Sequence, residues 1–128
     1  MTELDESLKK TILIVDDDEA LRDILKMMLE YLGYDIVTAL DGLDCLEMYE
    51  KHRAKIELVL LDMTMPSMDG EEAFIELHKI NPDIKVIITT GCKEEVVKEK
   101  FKEFPISGFV HKPFKMEFLD EQISALLG

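Results

Sequence analysis

The sequence predicts an α/β protein built on a doubly wound, five-stranded parallel sheet with helices on both faces. Three observations carry that expectation. Strand-like and helix-like segments alternate strictly, the connections between them are short, and the strand segments read as unbroken apolar runs. An unbroken run suits a strand covered on both sides, and strand–helix alternation calls for parallel neighbours joined by crossovers.

"TILIVD" (11–16) is expected as the first strand. Leu21, Ile24, Leu25, Met28 and Leu32 then recur at i, i+3, i+4, i+7 spacing, which predicts a helix with that stripe on the core and Gly33 as its stop. "YDIVTA" (34–39) reads as the second strand, and Asp41-Gly42 as a turn and helix cap. "ELVLLD" (57–62) is the third strand; Gly70 is expected to permit a turn before a helix carrying Ala73, Leu77 and Ile80, which ends before Asn81-Pro82. "KVIITT" (85–90), the fourth strand, precedes a charged helix, "KEEVVKEKFKEF", with an apolar stripe of Val97, Phe101 and Phe104 before Pro105. "SGFVHK" (107–112) is the fifth strand, and Leu119, Ile123, Leu126 and Leu127 mark the last helix. Five such units fit the flavodoxin-like strand order 2-1-3-4-5, whose ligand crevice lies at the carboxyl ends of strands 1 and 3.

Composition narrows the function. At 128 residues the chain has room for one domain, with residues 11–128 as its body and 1–10 as an N-terminal extension. Nothing approaches the apolar length of a membrane span, and "MTELDESLKK" lacks the apolar middle of a secretory signal, so a cytoplasmic protein is expected. Cys45 and Cys92 have neither metal-ligand spacing nor disulfide density and are expected as reduced thiols. A formal charge of −13 repels phosphate backbones, which argues against nucleic-acid binding by this chain alone and favours a protein or a cation as partner.

The chemistry gathers at the strand ends. Strand 1 runs into "VDDDE" and strand 3 ends on Asp62, so Asp16, Asp17 and Asp62 are expected at one rim. Three carboxylates so placed must hold protons or bind a cation, and an all-oxygen site suits magnesium. The same "DDDE" also suits a helix N-terminus, a role assigned here to Asp18 and Glu19. Strands 4 and 5 deliver Thr90 and Lys112 to that rim: a hydroxyl and an ammonium able to hold a transferred phosphoryl group, or, in a plainer reading, a strand residue or helix cap and a solvated amine. Met63, Met65 and Met68 read as flexible packing, and His52, His78 and His111 show no ligand spacing.

"ILIVDDDEALR", "LVLLDMTMPSMDG", "VIITTG" and "GFVHKPF" together resemble the CheY-like receiver domains of two-component response regulators, over essentially the whole chain. The stretch 57–91 is especially similar to receivers attached to hybrid sensor histidine kinases. The resemblance implies that Asp62 accepts a phosphoryl group from a phosphohistidine on a sensor histidine kinase or phosphotransfer protein. It also implies that Asp16 and Asp17 hold Mg2+ with Asp62 and the backbone carbonyl of Thr64. Lys112 and Thr90 then assist, with the Lys112–Pro113 bond cis, and Thr64 and Cys92 tune the lifetime of the product. Phe109 matches the family's switch aromatic, paired with Thr90, and helix 4, strand 5 and helix 5 would form the surface a downstream protein reads. Such a domain is a signalling phosphoacceptor that assists its own phosphorylation and dephosphorylation, and no enzyme in the ordinary sense.

Rival chemistries fit less well. A haloacid-dehalogenase phosphatase wants a second acid two positions after its aspartate, where Thr64 stands. A flavodoxin needs a hydroxyl-rich loop after strand 1, where "DDDE" repels the flavin phosphate. A receiver degenerate in its chemistry would lack reactive residues that are all present here.

Overall fold

A computed structural model describes residues 9–63, 70–91, 93–100, 102 and 106–127. The five strands are β1 (Thr11–Val15), β2 (Asp35–Ala39), β3 (Ile56–Asp62), β4 (Val86–Thr90) and β5 (Gly108–His111), all parallel, in the order β2-β1-β3-β4-β5. Between and after them lie α1 (Glu19–Tyr31), α2 (Gly42–His52), α3 (Gly70–Ile80), α4 (Glu94–Lys100) and α5 (Met116–Leu127). The expected fold and strand order are both present. Among the described residues, no helix is long and apolar enough to cross a membrane.

The apolar runs are continuous because each strand feeds two cores. Leu13, Val15, Val59, Leu61, Val86 and Ile88 pack with Cys45 and Tyr49 of α2, Ala73, Phe74 and Leu77 of α3, and Val97 of α4. Ile12, Ile14, Leu58, Leu60 and Ile87 pack on the other side with Leu25 and Leu29 of α1 and Leu119 and Ile123 of α5. Side chains alternate along a strand, so a strand without a solvent face needs apolar residues at every position.

The helix boundaries carry their own chemistry. Asp18 caps α1 by accepting from the Leu21 amide at 3.2 Å, and Asp41 caps α2 by accepting from the Asp44 amide at 2.8 Å. Gly33 stops α1 with φ +103°, a conformation that favours glycine, while its amide donates to the Glu30 carbonyl at 3.0 Å. Burial and the neighbouring carboxylates of Asp44 and Asp41 push the Cys45 thiol up to about 12, so it is an inert core group.

One expectation is corrected. The core stripe of α1 is Leu25 and Leu29, with Leu21 half-buried, whereas Ile24, Met28 and Leu32 are 48%, 39% and 46% exposed. So many positions of α1 are apolar that two interleaved rows satisfy helical spacing, and contact with the sheet selects only one. Ile24, Met27, Met28, Tyr31 and Leu32 remain on the outside. In α3, Phe74 and His78 are buried beside the expected Ala73 and Leu77, and the His78 Nδ1 lies 2.9 Å from the Phe74 carbonyl. Val97 is buried as expected; Phe101, Phe104 and Pro105 lie outside the described residues, as do Met65, Met68 and Cys92.

The two rows of α1 differ in what they support. Leu29→Ala should cost about 2–5 kcal/mol in urea unfolding, the range for a fully buried leucine. Met27→Ser, on the outer row, should change stability by no more than about 0.5 kcal/mol. Equal losses would contradict the assignment of the inner row.

Candidate functional site

β1 and β3 lie side by side with Val15 opposite Leu61, so the next residue of each, Asp16 and Asp62, leaves the sheet at one edge. Both are buried, at 2% and 1% exposure, and Asp17 is exposed. One ligand oxygen from each of Asp16, Asp17 and Asp62 falls within 4.8 Å of the others. The expected convergence of the three carboxylates is present.

β5 brings the counter-charge. The Lys112 amide donates to the Thr90 carbonyl at 2.7 Å, extending the β4–β5 pairing past the strand end. From there the Lys112 Nζ reaches Asp16 Oδ2 and Asp62 Oδ2, each at 3.2 Å. Thr90 is buried at the same edge, and the Lys112–Pro113 peptide bond is cis. Burial raises the pKa of Asp16; Asp62 adds to the rise, while the Asp18 amide and Lys112 act against it without cancelling it. For Lys112, burial opposes the charge, but the Asp62 and Asp16 carboxylates outweigh it and hold the pKa above the ordinary lysine value.

Three carboxylates meet one ammonium in direct contact, with the Arg22 guanidinium held farther back on the Asp16 carbonyl, so negative charge remains in excess. At 4.8 Å each like-charged pair repels by about 3.5 kcal/mol at an effective dielectric near 20. A dication relieves that excess, and oxygen-only ligands suit a hard ion. Opposite ligands of Mg2+ at oxygen distances of about 2.1 Å stand about 4.2 Å apart. Oxygens already within 4.8 Å of one another need only side-chain adjustment to share one ion. The residues present therefore fit magnesium.

The remaining expected residues divide. Phe109 pairs with Ile88 in the ladder, is half-buried against the core on the α2–α4 side, and lines a groove with Lys93, Glu94, Glu95, His111 and Phe118. Thr64 lies outside the described residues. Three contributions escaped the sequence reading. The Asp18 amide donates to Asp16 Oδ1 at 2.9 Å, and Arg22 Nη1 donates to the Asp16 carbonyl at 2.7 Å. Gly70 is the first residue of α3, where a Cβ would stand 2.7 Å from the Asp62 carbonyl and 2.8 Å from Met63 Sδ; the turn expected before it lies outside the described residues. The signal for Arg22 was its place on the first turns of α1, facing back toward the loop; close approach at Gly70 leaves no trace in periodicity.

The family model described as "Response regulator receiver domain" matches residues 12–124. The chain is 32% identical over 117 residues to "Sensor kinase CckA" of Brucella abortus (strain 2308), covering 91% of this chain and 12% of that protein. It spans about half the length of other curated relatives, such as the "Probable transcriptional regulator ycf27" of Cyanophora paradoxa, 36% identical over 93% of this chain and 48% of that protein. Among solved structures, the response regulator protein TrrA of Thermotoga maritima, crystallised in complex with Mg(2+)-BeF, superposes with a TM-score of 0.81 at 32% identity over 92% of this chain and 99% of that one.

Two substitutions test the site as described. Asp16 has a folded-state pKa above its unfolded value, so its ionised form works against the metal-free fold near pH 7, and that penalty disappears as pH falls through the raised pKa. Metal-free Asp16→Asn should therefore melt higher than the parent at pH 7 by calorimetry, with the gap closing as the pH is lowered. Gly70→Ala should cost about 1–3 kcal/mol, because the new methyl meets the Asp62 backbone; an unchanged melting temperature would contradict that contact.

Proposed function

Because this chain belongs to the response regulator receiver domain family, whose members are signalling domains, we propose that Asp62 accepts a phosphoryl group from a phosphohistidine in a Mg2+-dependent reaction. The donor is a sensor histidine kinase or a phosphotransfer protein. The observation that carries this reading is the meeting of Asp16, Asp17, Asp62 and Lys112 at one sheet edge.

An Asp62 carboxylate oxygen attacks phosphorus while the P–N bond breaks, and the electron pair of that bond leaves with the imidazole, which takes up a proton. The product is a mixed anhydride on Asp62. Lys112 Nζ, 3.2 Å from Asp62 Oδ2, is placed to bond an oxygen of the incoming group, and the buried Thr90 offers a hydroxyl donor at the same edge. Asp16 and Asp17, with Asp62 and the backbone carbonyl of Thr64, would hold Mg2+, which supplies positive charge to the phosphoryl oxygens. Lys112 exchanges a carboxylate partner for a phosphoryl one, so the positive charge stays in place.

The donor is a protein in this reading. Beside Lys112 lies an apolar hollow lined by Leu21, Ile24, Leu25, Pro113, Phe114 and Met116, a landing face next to the reacting carboxylate. The formal charge of −13 keeps nucleic acid away from this chain alone, and a cytoplasmic setting fits the reaction. Residues 11–128 act as one receiver domain, with 1–10 as an extension. Once Asp62 is modified, Thr90 moves toward the phosphoryl group, Phe109 shifts into the space behind it, and the surface of α4, β5 and α5 changes for a downstream protein.

Incubation with acetyl phosphate should give a hydroxylamine-labile mass increase of one phosphoryl group, in Mg2+ and not in EDTA. Asp62→Asn and Asp17→Ala should abolish it, and Lys112→Ala should slow it by roughly a hundredfold. Label persisting on Asp62→Asn would move the acceptor elsewhere. Sustained hydrolysis of unrelated small phosphoesters would point to a phosphatase.

A further inference from the structure

We propose that Arg22 is a positioning residue for the acidic cluster: by bonding the Asp16 carbonyl it fixes the peptide plane from which Asp17 projects. The proposal rests on the Mg2+ reading of that cluster.

Asp16 is fastened on every side. Its amide donates to the Ala39 carbonyl at 3.2 Å, its Oδ1 accepts from the Asp18 amide at 2.9 Å, its Oδ2 meets Lys112 at 3.2 Å, and its carbonyl accepts from Arg22 Nη1 at 2.7 Å. Asp17 is different. It is exposed, and among the described residues no hydrogen bond or ion pair holds its carboxylate. Its place in the cluster is therefore set through the backbone. The peptide group is planar, so pinning the Asp16 carbonyl also pins the Asp17 nitrogen and Cα, and restrains the backbone rotation after Asp16 that would carry the whole of Asp17 away from Asp16 and Asp62.

The location of Arg22 argues against a role in helix stability. It is the fourth residue of α1, where the helix dipole favours carboxylates and disfavours cations by a few tenths of a kcal/mol or more. Its own amide makes the ordinary helical bond to the Asp18 carbonyl at 2.9 Å, so α1 does not need the guanidinium to form. What the guanidinium does hold is the loop between β1 and α1.

The two ways in which Arg22 can act on a metal have opposite signs. As a bare charge it repels a dication, and its removal tightens binding. As a clamp it preorganises the ligands, and its removal weakens binding; losing a partner that orients a metal ligand typically costs tenfold or more. Calorimetric titration of EDTA-stripped protein with MgCl2 distinguishes them. Arg22→Met keeps the aliphatic stem but loses the donor, and should weaken Mg2+ binding about tenfold while speeding hydrogen exchange at the Asp17 and Asp18 amides. Arg22→Lys, which restores a donor, should recover most of the affinity. Arg22→Leu, which also lacks a donor, serves the same comparison if the methionine variant does not fold. Unchanged or tighter Mg2+ binding in the donor-free variant, or loss with no recovery by lysine, overturns the proposal. Failure of the parent protein to bind Mg2+ would instead remove the metal reading on which it rests.

Discussion

Mutual repulsion among Asp16, Asp17 and Asp62 governs the architecture of this molecule's upper rim. Two of these carboxylates are buried, and all three offer oxygens within 4.8 Å of one another. Side chains so arranged do not stay together for their own stability; the sheet edge holds Asp16 and Asp62, and the loop after β1 carries Asp17. β1 and β3, covered by helices on both faces, deliver Asp16 and Asp62 at adjacent ladder positions, and β5 sends Lys112 across to bridge them at 3.2 Å each. The rest of the site answers the charge that remains.

Much of this was legible in the sequence because burial and charge write themselves into residue type. The unbroken apolar runs announced strands without a solvent face, and strict alternation with helices fitted the order 2-1-3-4-5; the strand ends then put Asp16, Asp17, Asp62, Thr90 and Lys112 at one rim, while their roles came from the family resemblance. What stayed hidden depended on which of several equivalent choices the tertiary structure makes. α1 is apolar at so many positions that its inner row could not be told from its outer one, and Leu29 was passed over in favour of Ile24, Met28 and Leu32. The close approach at Gly70 also stayed hidden, because the nearness of the Asp62 backbone is a distance between segments and leaves no local pattern.

Stability and chemistry draw on the same few contacts. Burial, with the Asp62 carboxylate adding to it, raises the pKa of Asp16, so an ionised Asp16 works against the metal-free fold. Gly70 lets α3 begin directly beside the Asp62 backbone, where a Cβ would stand 2.7 Å from its carbonyl oxygen. Lys112 links the two edges of the crevice, which ties any change in its partner to β5 and, through the ladder, to Phe109.

The most direct test of the central claim is to see the ion. Crystals grown with MnCl2 in place of magnesium salts, measured at the manganese absorption edge, should show one strong anomalous peak shared by the carboxylates of Asp16, Asp17 and Asp62. A well-ordered site with those three side chains and no peak between them, or a peak bound elsewhere in the molecule, would contradict the account.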